Sequence, residues 1–149
     1  MVRLHFPFAL VASALLAGCG PYPTDMAGTL ERIEARHVIR VGVAAIPESG
    51  QAAMGDFLAR VRRASDARVE AKHGPMESLF ADLQRGKLDM VVAEVAEDSP
   101  WITEITAIEP IATRRQGERI LGLGAIVRNG ENRWVALLER QARDMPAGS

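Results

Sequence analysis

Short apolar runs alternate with amphipathic segments along most of the sequence, and this alternation constrains the fold more than any other feature. Two of the apolar runs are rich in β-branched residues and predict buried strands. The segments between the runs carry apolar side chains at helical spacing. The predicted order is helix, strand, helix, strand, helix, strand, at 29–36, 38–44, 49–63, 67–72, 75–85 and 88–95. Strands joined by helices form a parallel sheet with helices on its faces, so the predicted fold class is α/β.

The second half of the chain is less regular. It predicts a strand over 102–112, a polar connection over 113–118, a strand over 120–127 and a final helix over 131–143. With 149 residues the chain has room for one globular domain and a targeting segment. The predicted architecture is a three-layer α/β sandwich with a mainly parallel sheet of about five strands.

The N-terminal segment 1–18 has the composition of a secretory signal peptide. Arg3 supplies a positive start, residues 6–16 are almost wholly apolar, and small residues follow. This apolar stretch is about half as long as a membrane-spanning helix needs to be, which disfavours a transmembrane segment. Leu16-Ala17-Gly18-Cys19 resembles the lipobox of bacterial lipoproteins, in which the cysteine is acylated and becomes the new N-terminus. The alternative is an ordinary signal peptide with an incidental cysteine.

Cys19 is the only cysteine, so the chain cannot form an internal disulfide, and a lipid on the thiol would explain a lone cysteine in an exported protein. Residues 19–28 contain two prolines and two glycines and predict a tether, and the folded body is predicted over 29–145. The expected location is the periplasmic side of the cell envelope, with the lipid in the outer or the inner membrane.

The formal net charge of -1 argues against nucleic acid as a partner, because Lys and Arg are interleaved with Asp and Glu rather than clustered. Evidence for an enzyme is also weak. The sequence has no Gly-x-Ser-x-Gly motif, no phosphate-binding loop and no cysteine left for catalysis, so we expect no catalytic residues and no cofactor.

Two stretches, 30–43 and 77–92, resemble the opening helix and strand and a later helix-glycine-strand unit of the family 3 periplasmic solute-binding proteins. Members of that family are the extracytoplasmic receptors of amino-acid ABC transporters. The resemblance implies one lobe of a type II periplasmic binding protein. In this part of the chain Gly86 is expected to end a helix, and Asp89 is expected to hydrogen-bond to loop backbone at the start of a strand.

Ligands of open α/β sheets bind at the carboxyl ends of the parallel strands. The resemblance therefore implies a binding site on two loops of this sequence, and its candidate residues are Pro47, Glu48, Ser49, Glu94, Glu97, Asp98 and Trp101. Amino-acid receptors of the family usually carry a Thr and an Arg in the second loop, and this chain has acidic residues there instead. The expected ligand is accordingly a cationic or neutral small molecule, with Trp101 as a possible cation-π surface.

Each candidate also has a simpler interpretation. Glu94, Glu97 and Asp98 could form a solvated acidic loop, and they lack the ligand spacing of a metal site, so no metal is expected. Trp101 and Trp134 could be packing residues, which is the usual role of tryptophan.

The family's receptors close two lobes over a ligand, whereas this chain has room for one lobe. The predicted function is a lipid-anchored periplasmic substrate-binding protein or an accessory component of an ABC-type transporter. Its expected partners are a small polar solute, the membrane through the lipid, and a transporter permease or envelope protein. The alternative is a structural lipoprotein that binds no ligand and docks on an envelope partner.

Overall fold

The computed structural model describes residues 24–96 and 105–145. The helices and strands follow in the order α1 (Thr29–Arg36), β1 (Val38–Val43), α2 (Glu48–Ser65), β2 (Arg68–His73), α3 (Met76–Gln84), β3 (Met90–Ala96), β4 (Ile105–Ala107), β5 (Ala112–Gln116), β6 (Arg119–Arg128) and α4 (Asn132–Arg143). Within this described part of the chain, no helix combines the length and the apolar character needed to cross a membrane.

The six strands form one sheet in the order β2-β1-β3-β6-β4, and β5 also pairs with β6. β1 is parallel to both β2 and β3, whereas β6 is antiparallel to β3, β4 and β5. Five strands therefore point the same way and β6 points the opposite way. The predicted α/β fold with a mainly parallel sheet is confirmed, with six strands rather than about five.

Helices cover both faces of the sheet, so the predicted three layers are present. α1, α2 and α4 pack on one face around the fully buried side chains of Phe57 and Trp134. α3 packs on the other face through Leu79 and Leu83. The packing role considered for Trp134 is confirmed, because its ring is completely buried and its indole N–H donates to the Asp89 carbonyl oxygen at 3.0 Å.

The segment after β3 differs from the prediction. A single strand over 102–112 was expected, but β4 is only three residues long within the described part, and β5 starts at Ala112. The polar residues 113–116, expected to form a connection, belong to β5 and form a hairpin with β6. Polar side chains are tolerated there because β5 is an edge strand, and Gly117 supplies the positive φ of 63° for the turn.

We call the edge at which β1, β2 and β3 begin the amino edge, and the edge at which they end the carboxyl edge. Asp89, just before β3, connects α1 and β1 at the amino edge. Its buried carboxylate accepts hydrogen bonds from the Arg40 backbone N–H at 2.8 Å and from the guanidinium groups of Arg40 and Arg32. Asp89 thus bonds to backbone, but to that of strand β1 rather than to the loop backbone that was predicted. Gly86 follows α3 with a φ of 69°, as its predicted role requires.

A second group of hydrogen bonds fastens the start of the described chain to the amino edge. The Asp25 carboxylate accepts from the backbone N–H groups of Leu30 in α1 and of Arg133 and Trp134 in α4. Glu131, which is 2% exposed, accepts in turn from the backbone N–H groups of Ala27 and Thr29. The first turns of α1 and α4 are thus capped by residues that lie outside both helices.

Candidate functional site

A cavity of 660 Å³ opens at the carboxyl edge, on the face of the sheet covered by α2 and α4. It lies between the first turn of α2, the end of β3, strand β5 and the last turn of α4. The polar and charged residues that line it come from α2, β3, β5, α4 and the loop between β4 and β5: Ser49, Glu94, Glu109, Thr113, Arg114 and Arg143.

Glu94 and Arg114 form a bidentate ion pair in this wall. Arg114 Nε donates to Glu94 Oε1 at 2.7 Å, and Arg114 Nη2 donates to Glu94 Oε2 at 2.7 Å. The glutamate side chain is 12% exposed and the arginine side chain 35%. The hydrogen bonds that Arg114 donates to Glu94 raise the pKa of Arg114, so the guanidinium stays charged. This pair presents one negative and one positive group, both partly accessible, at a single place.

Strand pairing explains why the two residues meet. Glu94 lies on β3 opposite Leu123 of β6, and Arg114 lies on β5 opposite Leu121 of the same strand. Both side chains point to the face that carries α2 and α4, because alternate residues of a strand share a face. The long arginine side chain therefore crosses β6 to reach the carboxylate. Arg115, the next residue of β5, points to the other face and is exposed.

The start of α2 closes the cavity from the side. Gly50 is buried and lies against β6: a Cβ atom built on it would be 2.9 Å from Leu123 Cδ2 and 3.1 Å from Ile46 Cγ2. Only a residue without a side chain lets the first turn of α2 approach the sheet this closely. The approach places Ser49 in the wall of the same cavity as Glu94 and Arg114.

The structure brings together two of the predicted site residues, Ser49 and Glu94. Pro47 is the N-cap residue of α2 and Glu48 is its first residue, which is exposed, and neither belongs to the cavity wall. The helix starts earlier than predicted and takes up the end of the expected loop. The remaining predicted residues, Glu97, Asp98, Trp101 and the lipidation candidate Cys19, lie outside the described residues.

Arg114 is a residue of this candidate site that the sequence interpretation did not include. It was assigned to a polar connection, and its partner lies 20 residues earlier in the chain. The sequence offered no signal for it, because residues 113–116 are all polar and show no alternation of apolar and polar side chains. Because Arg114 offsets the charge of Glu94, the site is less acidic than its loop sequence suggested. Among residues 24–96 and 105–145, no cluster of three or more His, Cys, Asp or Glu side chains could hold a metal ion.

No protein-family model matches the chain, and a search of curated proteins also finds no match. Solved structures do match. The arginine-bound form of domain 1 from TmArgBP is 15% identical, with a TM-score of 0.63 over 76% of this chain and 98% of that domain. The ancestral amino-acid-binding protein AncCDT-1, a precursor of cyclohexadienyl dehydratase, is 12% identical, with a TM-score of 0.67 over 78% of this chain and 92% of that one.

A third match is the VFT2 domain of BvgS from Bordetella pertussis, at 8% identity and a TM-score of 0.62, covering 84% of this chain and 95% of that domain. At identities this low, TM-scores of 0.62 to 0.67 establish a common fold and nothing beyond it. Together with the strand order and the three layers, the comparisons show that this protein has the fold of a single domain of the periplasmic solute-binding proteins.

Proposed function

We propose that the protein binds a small polar solute at the carboxyl-edge cavity, on the periplasmic side of the envelope, and that a lipid on Cys19 holds it at the membrane. The observation that carries the proposal is the Glu94–Arg114 ion pair in the wall of a 660 Å³ cavity, at the edge where open α/β sheets bind ligands. The cavity volume falls within the range of about 300 to 1,000 Å³ that is usual for small-molecule sites.

The charges around the cavity indicate which solutes fit. Arg114 and Arg143 face Glu94 and Glu109, so the wall is balanced in charge. A solute with both an ammonium and a carboxylate group could bind by exchanging partners with the ion pair, its carboxylate on Arg114 and its ammonium on Glu94. A cationic side chain would find a second carboxylate at Glu109. A solute with charge of only one sign would meet two groups of like sign beside two of opposite sign, so the balanced wall gives it no net attraction.

A single domain of this fold can hold such a ligand. Domain 1 of TmArgBP, to which this chain is similar, is known in an arginine-bound form. An open cavity on one domain buries less of the ligand than a cleft between two, so we expect weak binding, with a Kd on the order of 0.1 mM. A transporter permease or another envelope protein that covered the cavity would strengthen it. We propose this role as binding rather than catalysis, which agrees with the binding proteins among the matched structures.

Thermal unfolding in the presence of candidate solutes tests the proposal. The chain from residue 20 to 149 is suitable, because the buried hydrophobic residues of the described part lie between Leu30 and Leu138. The solutes are L-arginine, L-lysine, L-glutamine, L-glutamate and putrescine, each at about 10 mM. At a concentration of roughly 100 times the Kd, a ligand stabilises the folded state by about 2.7 kcal/mol. For a domain of this size that corresponds to a rise in Tm of roughly 10 °C.

Two variants and a matched control localise the effect. Arg114→Ala and Glu94→Gln should abolish the rise in Tm. Arg115→Ala should preserve it, because Arg115 lies on the same strand and is exposed on the opposite face. Absence of stabilisation by every solute would overturn the proposal and favour the structural lipoprotein instead. Equal losses in Arg114→Ala and Arg115→Ala would show that the ligand binds elsewhere.

A further inference from the structure

Four exposed arginines surround a depression at the amino edge, on the side of the molecule away from the cavity. They come from the last residue of α1, the end of α2 and the first residue of β2: Arg36, Arg62, Arg63 and Arg68. We call this group the amino-edge arginine patch. The depression has a volume of 530 Å³ and also includes His37 and Asp66.

Most of this positive charge is not neutralised by the protein. Arg68 pairs with Glu70, and Asp66 lies 3.5 Å from His37. Within the described residues, Arg36, Arg62 and Arg63 have no carboxylate within ion-pair distance. Three guanidinium groups are therefore free to bind an external anionic surface, and their flat, forked shape suits the phosphate groups of lipids.

The start of the described chain lies on the same edge as the patch. Asp25 is hydrogen-bonded to the first turns of α1 and α4. α1 runs from there to the patch, where it ends at Arg36, and its eight residues correspond to a length of about 12 Å. Cys19 lies six residues before Asp25, so a lipid on its thiol would be within about 20 Å of Asp25.

We propose that the amino-edge arginine patch docks on an anionic phospholipid surface beside the lipid anchor. The cavity then points away from the membrane, because α2 begins at the cavity and ends at the patch, and its 18 residues separate the two by about 27 Å. The position of the contact beside an anchor rests on the proposed lipid at Cys19. The contact with anionic lipid does not, so the two can be tested separately.

Sedimentation with vesicles tests the contact. The chain from residue 20 to 149, which lacks Cys19, is mixed with vesicles of phosphatidylethanolamine containing either no phosphatidylglycerol or about 25% of it, at low ionic strength. The test variant is Arg36→Gln/Arg62→Gln/Arg63→Gln. The control variant, Arg115→Gln/Arg119→Gln/Arg140→Gln, removes the same charge from outside the patch, and circular dichroism confirms that both variants fold.

We expect the unaltered chain and the control variant to sediment with the anionic vesicles, and the partition coefficient of the patch variant to be lower by at least a factor of about ten. Raising the salt concentration should release the protein. Equal binding by the patch variant and the unaltered chain would overturn the proposal, and so would equal losses in the two variants or binding that ignores phosphatidylglycerol. Solute binding by the patch variant should be unchanged, which separates a failure here from a failure of the proposed function.

Discussion

Replacing Asp89 should destabilise the domain more than any other loss of a single charge at the amino edge. Its side chain is 1% exposed and accepts hydrogen bonds from Arg32, Arg40 and the backbone of β1. Burial by itself raises the pKa of Asp89, but the hydrogen bonds from Arg40 and Arg32 outweigh it and hold the pKa below its usual value. The carboxylate is therefore charged in the folded protein and supported on several sides.

The magnitude follows from what the substitution leaves behind. Asp89→Ala removes both carboxylate oxygens, which accept these hydrogen bonds, and leaves the guanidinium groups of Arg32 and Arg40 without their partner. Breaking a buried ion pair usually costs about 3 to 5 kcal/mol. Here the arginine side chains are 24% and 28% exposed, so water can solvate them in part, and the lower end applies. We expect a loss of about 3 kcal/mol, equivalent to a fall in Tm of roughly 12 °C for a domain of this size.

Urea unfolding of the chain from residue 20 to 149 near pH 7, followed by circular dichroism, measures the loss. Asp66→Asn is the matched control, because its carboxylate is 95% exposed and the change removes the same charge. It should shift the free energy of unfolding by less than about 0.5 kcal/mol. A loss below about 1 kcal/mol for Asp89→Ala, or one no greater than in the control, would show that the Asp89 ion pairs do not stabilise the domain as proposed.

Three further predictions concern stability and location. Burial raises the pKa of Glu131, but hydrogen bonds from Thr29 and Ala27 outweigh it, so its pKa is lowered like that of Asp89. The stability that both carboxylates contribute is complete above about pH 5 and is lost as the pH falls through their folded pKa values. A urea midpoint that stays constant as the pH is lowered from about 5 to about 3 would contradict this. Gly42→Ala should cost about 1 to 3 kcal/mol in urea unfolding, because the added Cβ would lie 2.8 Å from Leu88 Cδ1, and an unchanged midpoint would oppose it. Cys19→Ala should move the protein from the membrane to the soluble fraction on cell fractionation without changing its Tm, and a variant that stayed in the membrane fraction would show that Cys19 is not the anchor.

The parts of the fold that local patterns determine could be predicted from the sequence. α1, α2, α3 and α4 each bury one apolar stripe, and β1 and β3, in the middle of the sheet, are apolar apart from Arg40 and Glu94. Hydrophobic periodicity is sufficient to identify such elements. The same reasoning failed for β5, because an edge strand has no need of apolar residues and its polar sequence resembles a connection.

The site could be predicted only in part, because it depends on contacts between distant elements. The carboxyl ends of β1 and β3 were the expected location, and Ser49 and Glu94 do lie there. Arg114 joins them only because β6 pairs with both β3 and β5, a register that no local pattern reveals. The capping of α1 by Glu131, more than 100 residues later in the chain, was hidden for the same reason.

Mapping by NMR shows directly whether a solute binds between Glu94 and Arg114. The chain from residue 20 to 149, labelled with nitrogen-15, is titrated with L-arginine, and the shifts of its backbone amides are followed. We expect the largest changes on Gly50, Glu94 and Arg114, which line the cavity, and no change on Arg62 and Arg63 at the opposite edge. Saturating changes centred on any other surface would contradict binding at the ion pair. So would the absence of any change at about 10 mM arginine, because binding with a Kd on the order of 0.1 mM would be complete at that concentration.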